Sequence, residues 1–461
     1  MRTLPAFACL LVALALAAPA AADHGRADDA SLMSHLANSP KLESSDLAFW
    51  QGGPVNGPFQ DLAFAGNYNG FRIFDISKPW LPVLLSDFHC RGVQGDGSVH
   101  QTRNRLIYIQ SVDQAVTTPD CATAVDFFPP APATTRFEGL RLFDVTNPLA
   151  PVHIASVQTV CGSHTHTTIP DDDDQRLIVY VSSNPGGAGT PFCPQPHGKI
   201  SIVEIPYAHP EAARVLKEQP LHSDTLPHFF AGRSFGVACH DITAFLHPKR
   251  SIAFAACQSE GQIWDISDPA NPSTLGAHTH IRNPLIGYWH SSSFTWDGEV
   301  LAVSDESSGH CGGAADPVGN MWFYKVVPPG TPDAPLLGRY TPTRPHPEGS
   351  CFLHNGNVIP TTHGYIGVAP AWRGGTSVYD FTNPAAAREI AYFDPSDVDG
   401  RGTPQSWGAY WYNDYIFVSD YDRGFDVFKL FDEKGKHYKA RKWHHSNPQT
   451  QEHFQAVGKG H

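Results

Sequence analysis

Four short segments place histidine at a recurring position. GSHTHTTI (His164, His166), ACHDITAF (His240), YWHSSSF (His290) and CFLHNGNVI (His354) each carry it near the start of an apolar-polar alternation, and SVHQT (His100) is a weaker member. Neutral imidazole is the commonest nitrogen ligand, and several converging rings suit Zn, Cu or Fe. Charged residues gather in the loops after the next alternating segment: Asp113, Glu260, Asp305, Glu306, His310, Arg373, Asp420, Asp422 and Arg423. A hairpin turn centred on Asp297-Gly298 predicts His290 opposite Asp305. A carboxylate beside an imidazole fixes its tautomer and raises its basicity. The expected metal ligands are therefore His164, His166, His240, His290 and His354. Asp241, Asp305 and Glu306 are expected as supporting or proton-transfer carboxylates.

These residues need elements that bring them together, and the chain repeats. Segments starting at Gly70, Gly139, Gly198, Gly261, Gly319, Gly375 and Gly424 each alternate apolar and polar residues for about six positions, and most then turn at Pro. Such alternation is the mark of a half-buried strand. The matching residues Asp75, Asp144, Glu204, Asp265, Lys325, Asp380 and Asp426 are 69, 60, 61, 60, 55 and 46 positions apart. A repeat of that length with several strands predicts a β-propeller. The expectation is all-β: a seven-bladed β-propeller of four-stranded antiparallel blades over 46–443. Residues 1–22 are expected as a signal peptide, 23–45 as an N-terminal extension and 444–461 as a flexible tail. Helix is expected only in short pieces such as Ala30 to Ala37. Lys436 to Trp443 is the expected last strand of the seventh unit. The innermost strands of a propeller line its axis, so the histidines of units 3 to 6 converge there. The motif aspartates sit before a turn and are expected to hold its backbone N–H groups.

The phrases GLRLFDVTNPLAP from Gly139 and GQIWDISDPANP from Gly261 resemble the LVIVD-repeat family of exported bacterial proteins. The resemblance runs through all seven units. It implies a propeller and leaves the activity open.

Composition narrows the classes. Only 17% of residues are charged, Gly and Pro number 40 each, and aromatics make up 11%. That disfavours helical bundles and disordered chains. A net charge of −13 excludes the basic face that nucleic acid requires. Arg2, the apolar run Ala6 to Ala18 and Ala20-Ala21-Ala22 read as a secretory leader cleaved near Ala22, giving a secreted or periplasmic protein. No later segment is apolar enough to span a membrane. Without Cys9, eight cysteines remain, and an oxidising compartment favours disulfides. In the hairpin centred on Pro248, Cys239 and Cys257 are expected to face each other. Cys161–Cys193, Cys90–Cys121 and Cys311–Cys351 are the other expected pairs.

No Walker or HExxH motif is present. The Asp171 to Asp174 run reads as a solvated turn. Trp372 and Arg373 offer a planar or cationic face to a ligand. The expected function is a secreted propeller with a transition metal ion at a histidine-lined axis, acting on a small organic molecule by redox chemistry or metal-assisted hydrolysis. The alternative is a non-catalytic propeller holding a small ligand or extracellular partner in its mouth.

Overall fold

The computed structural model describes residues 28–52, 61–116, 118–121, 136–183, 193–194, 197–221, 228–230, 233–235, 238–307, 319–342, 344, 351–396 and 404–454. Among these, helix is limited to two 3-10 turns, Pro210–Ala212 and Pro384–Ala386. The fold is all-β, of propeller type. Its inner strands are Ser44–Gln51, Gly97–Gln101, Thr165–Asp171, Asp241–Leu246, Trp289–Phe294, Asn355–Ile359 and Ser406–Tyr412. Each begins an antiparallel run, as in Asp241–Leu246, Ile252–Cys257, Glu260–Asp265 and Thr279–Ile281. The inner strands pack on one another in chain order, and Ser406–Tyr412 packs back on Ser44–Gln51. A parallel bridge from Asn355 to Gly408 joins two runs into one nine-stranded sheet.

Period-2 alternation works on both faces here, because each sheet packs against its neighbours in the ring. Ile263 and Trp264, adjacent in one strand, are both fully buried in different clusters. Glycine opens the third strands for a steric reason. At Gly70 (φ 142°) and Gly139 (φ 147°) an added Cβ would meet the backbone carbonyls of Phe88 and Val157 in the outer strands. The motif aspartates do hold the turn that follows. Asp75, Asp144, Asp265 and Asp380 accept from the N–H groups of Ser77, Thr146, Ser267 and Thr382 at 2.9, 3.0, 2.9 and 2.9 Å. Such Asx turns end the strand before the Pro.

The seventh unit departs from the expectation. Its outer strand is Met33–Ser39, antiparallel to Gly424–Leu430, and not Lys436 to Trp443. Ala30 to Ala37 is accordingly strand, not helix, with Asp29–Ser31 pairing Arg388–Asp394 of the sixth unit. Asp426, at the motif position, faces His35 Nε2 at 2.7 Å and Arg423 instead of a turn. An edge strand left unpaired had to find a partner, and the N-terminal segment was the free one. The expected tail differs too. His445–Ser446 pairs with Trp50 and Phe49, and Thr450–Glu452 runs parallel to Ala244–Leu246.

Among the described residues three of the four expected disulfides are formed, Cys90–Cys121, Cys161–Cys193 and Cys239–Cys257, and Cys351 is disulfide-bonded as well. Cys311 and the leader lie outside the described residues. The ladder of the fourth unit pairs Asp241 with Ala256, so Cys239 and Cys257 are not directly opposed. Cys239 precedes the strand and reaches Cys257 just beyond the ladder's end. Non-reducing peptide mapping should recover the three pairs. Cys239→Ser with Cys257→Ser should lower the unfolding free energy by ~2–4 kcal/mol in denaturant titrations.

Candidate metal centre

The inner-strand histidines meet. His164 Nε2 lies 2.7 Å from His240 Nε2. The ring of His240 is 4.2 Å from that of His290, which is 4.2 Å from that of His354. Glu306 closes on this arc, with carboxylate oxygens 3.5 Å from His290 Nε2 and 4.0 Å from His354 Nε2. His240, His290 and Glu306 offer ligand atoms all within 4.8 Å of one another.

In every one of the four rings the Nδ1 edge is engaged. Asp113 approaches His164 Nδ1 at 3.2 Å and Asp241 accepts from His240 Nδ1 at 3.0 Å. Ser304 Oγ is 3.3 Å from His290 Nδ1, and His354 Nδ1 donates to the Trp407 carbonyl at 2.6 Å. An imidazole that gives its Nδ1 proton away presents a bare Nε2 lone pair. His164 and His240 thus turn two such lone pairs on each other. Two acceptors at that distance need a cation or a shared proton between them. Carboxylate–histidine pairs of this kind accompany most histidine metal ligands.

The electrostatics agree. Burial alone would lower His164, yet the Asp113 charge outweighs it and the net direction is up. Burial and the neighbouring His164 lower His240. Burial would raise Asp241, but its bond to His240 and the two histidine charges hold it below the usual carboxylate range. His290 is pushed well down by burial and by its histidine neighbours, and burial takes His354 to about 3. Both are neutral, ligand-ready rings. Glu306 is raised to about 7 by desolvation, although 30% of its side chain is open to the mouth.

Two expected members, His166 and Asp305, do not join. His166 is buried between Ser98 Oγ (2.6 Å from Nε2) and Ser111 Oγ (2.8 Å from Nδ1), which uses both ring nitrogens. Asp305 is opposite Trp289, because a bulge between Trp289 and Ser292 shifts the register by one. Its carboxylate takes the N–H groups of Gly287, Tyr288 and Ser307 at 3.3, 3.0 and 3.1 Å, so it braces loops and does not face His290. Asp241 does join, in the supporting place expected of it: it is buried, with one oxygen on His240 Nδ1 and the other on the Gln449 amide. Of the other loop charges, Asp420 accepts from the N–H groups of Asp422 and Arg423. Glu260 holds Arg282 and His280, and His310 lies outside the described residues.

Sequence reasoning missed two features. Asp46 and Asp96 are buried on the inner strand of the first unit and at the entry to that of the second. Burial, with the charge of Asp241, raises Asp46 to about 7, and burial with Asp46 and Asp241 raises Asp96 well above its ordinary range. Acids therefore occupy the side of the axis that has no histidine. Only their position in register with the histidines could have signalled this. The second feature is aromatic. Trp372 lies 5.4 Å and Trp407 5.2 Å from the His354 ring, Phe352 stacks on Trp372 at 5.0 Å, and Tyr68 and Tyr421 meet edge to face at 5.5 Å. These rings wall the site on one side, as the Trp372 motif foreshadowed; Tyr288 touches His240 at 5.5 Å on the other.

No family model matches the sequence, and no curated protein does either. Solved structures resemble the fold. A protein from Lactobacillus plantarum shares 11% identity at a TM-score of 0.52, covering 88% of this chain and 97% of that one. A periplasmic gluconolactonase from Pseudomonas aeruginosa shares 10% identity at a TM-score of 0.48, covering 87% and 96%. At these identities the likeness concerns the fold alone.

His100, the weaker member of the histidine set, stands apart and stacks on Tyr207 with ring centroids 5.4 Å apart. Burial, helped by His445, lowers it to about 4. The unfolded chain, with His near 6.5, binds a proton that the fold refuses between those values. Stability is therefore complete above about pH 6.5 and falls as pH drops toward 4, by up to ~3 kcal/mol from this one ring. Thermal unfolding across that range should show the loss, and His100→Gln should make it shallower.

Proposed function

We propose that this chain is an exported seven-bladed propeller, the nine-stranded sheet counting as two blades, whose axis holds one transition metal ion for chemistry on a small organic molecule. His240, His290 and Glu306 form the ligand core, with His164 and His354 on either side. The observation that carries the reading is the shared orientation of four imidazoles, each anchored through Nδ1 with Nε2 left for the axis. Two imidazoles and a carboxylate form a donor set used for both hydrolysis and oxidation by divalent metals. Bound there, an ion would supply Lewis acidity or a redox centre. The residues themselves do the rest. Asp113 and Asp241 hold His164 and His240 in one tautomer. The mouth, walled by Trp372, Trp407 and Phe352, excludes water from one side and fits the planar or apolar part of a substrate. The three disulfides support export, because such bonds persist in oxidising compartments. No helix among the described residues is long and apolar enough to cross a membrane.

The test is metal content. Protein stripped with chelator and titrated with Co²⁺ or Zn²⁺ should take up about one ion per chain. His240→Ala with His290→Ala should abolish uptake while leaving the far-ultraviolet circular dichroism unchanged, because the ladders use backbone groups. Glu306→Gln should weaken binding at least ~10-fold. Uptake that survives the double histidine variant would overturn the reading, and so would a wild type that binds neither ion.

A further inference from the structure

The C-terminal segment enters the channel and reaches the histidine site from behind. Asn447 locks onto the Val99 backbone, accepting from its N–H at 2.8 Å and donating to its carbonyl at 2.9 Å. The chain turns between Asn447 and Thr450. Thr450 Oγ1 donates to the Thr168 carbonyl at 2.7 Å, Phe294 N–H donates to Gln451 Oε1 at 2.7 Å, and Thr450–Glu452 pairs in parallel with Ala244–Leu246. One turn thus bridges the inner strands of units 2, 3, 4 and 5. At its tip is Gln449, 6% exposed. Its Nε2 donates to Asp241 Oδ2 at 2.8 Å, and its Oε1 accepts from Thr243 Oγ1 at 3.1 Å. The Gln449 carbonyl accepts from Ala244 N–H at 2.8 Å.

We infer that residues 447–452 are a built-in stopper of the channel and that Gln449 is a positioning residue for the metal centre, fixing through Asp241 the direction in which His240 presents Nε2. The positioning role rests on the metal reading above. The chain of contacts is unbroken. Asp241 has two oxygens; Oδ1 faces His240 Nδ1 and Oδ2 faces the Gln449 amide. Without the amide the carboxylate can rotate about its own axis, and the His240 ring loses its fixed azimuth. Thr243 holds the amide's other end, so the nitrogen and not the oxygen is turned toward Asp241. A carboxylate takes only donors, which makes Gln449 a match that Glu could not replace.

Two variants of the full chain separate positioning from mere plugging. Gln449→Leu removes the bond to Asp241. Gln451→Leu removes an anchor of the same stopper, the bonds to Phe294 and Ser293, and touches neither Asp241 nor His240. With Co²⁺ as probe, Gln449→Leu should weaken binding about 10-fold and shift the visible absorption bands, while Gln451→Leu should leave affinity within about twofold and the bands in place. Equal behaviour of the two variants, or an unchanged spectrum in Gln449→Leu, overturns the inference. Should Gln449→Leu fail to fold, Gln449→Asn, too short to reach Asp241 but still polar, gives the same comparison. A metal-free readout keeps the two readings distinguishable. The Nδ1 proton of His240, followed by nuclear magnetic resonance in stripped protein, should move in Gln449→Leu and stay in Gln451→Leu. A wild type that binds no Co²⁺ but shows this pattern overturns the metal reading and supports the link from Gln449 to His240. Binding with no movement of that proton overturns the link alone.

Discussion

A buried imidazole offers a lone pair in a set direction only when its other nitrogen is already held, and the whole site depends on that constraint, met by hydrogen bonds in three rings and by the facing Asp113 carboxylate in His164. The anchors come from different places. Asp113 lies in the strand Leu106–Val116 of the second repeat, Asp241 beside the ring it holds, Ser304 in the neighbouring strand of the fifth repeat, and the Trp407 carbonyl in the seventh. No single blade could build this arrangement. It exists only while the ring of sheets is closed, and closure depends on Met33–Ser39 lying against Gly424–Leu430. The histidine arrangement at the axis is thus tied to a hydrogen-bonded ladder at the rim.

The charge distribution follows from the same geometry. Asp113 and Asp241 act electrostatically on His164, Asp241 on Asp46, and Asp46, Asp241 and Asp113 on Asp96. In a low-dielectric channel such carboxylates cannot all ionise without compensation, so some keep a proton and others take an imidazole as partner. A divalent cation bound as proposed would relieve the remainder.

Much of the fold was legible because its signal is repeated. Period-2 alternation, an opening glycine and a closing Asp-x-Ser/Thr-x-Pro turn recur in register, and each has a local cause. The histidine arc was legible for the same reason, since equal positions in successive inner strands lie at equal heights. What escaped was whatever broke the repeat. The bulge at His290 moved Asp305 out of line, a fact no turn count reveals. His166 sits in the strand Thr165–Asp171, two residues after His164, yet two serines hold it away from the arc. The closing strand and the stopper lie outside the repeat altogether. Their pairing is set by which sheet edge and which channel remain open, information held by the assembled ring and not by the segments themselves.

The closing strand has a kinetic side. Residues near 35 pair with residues near 428, almost the full length of the chain apart. Loop-closure entropy must be spent before that pairing returns anything, so it belongs to the slow class of long-range contacts. Synthesis delivers Met33–Ser39 first and its partner last. Until the seventh repeat has emerged, the strand has nowhere to go, and the Gly424–Leu430 edge does not yet exist. The ring can snap shut only as a finished object. A polypeptide of this design stays unlatched until its last repeat has been made, and becomes topologically complete in one late step.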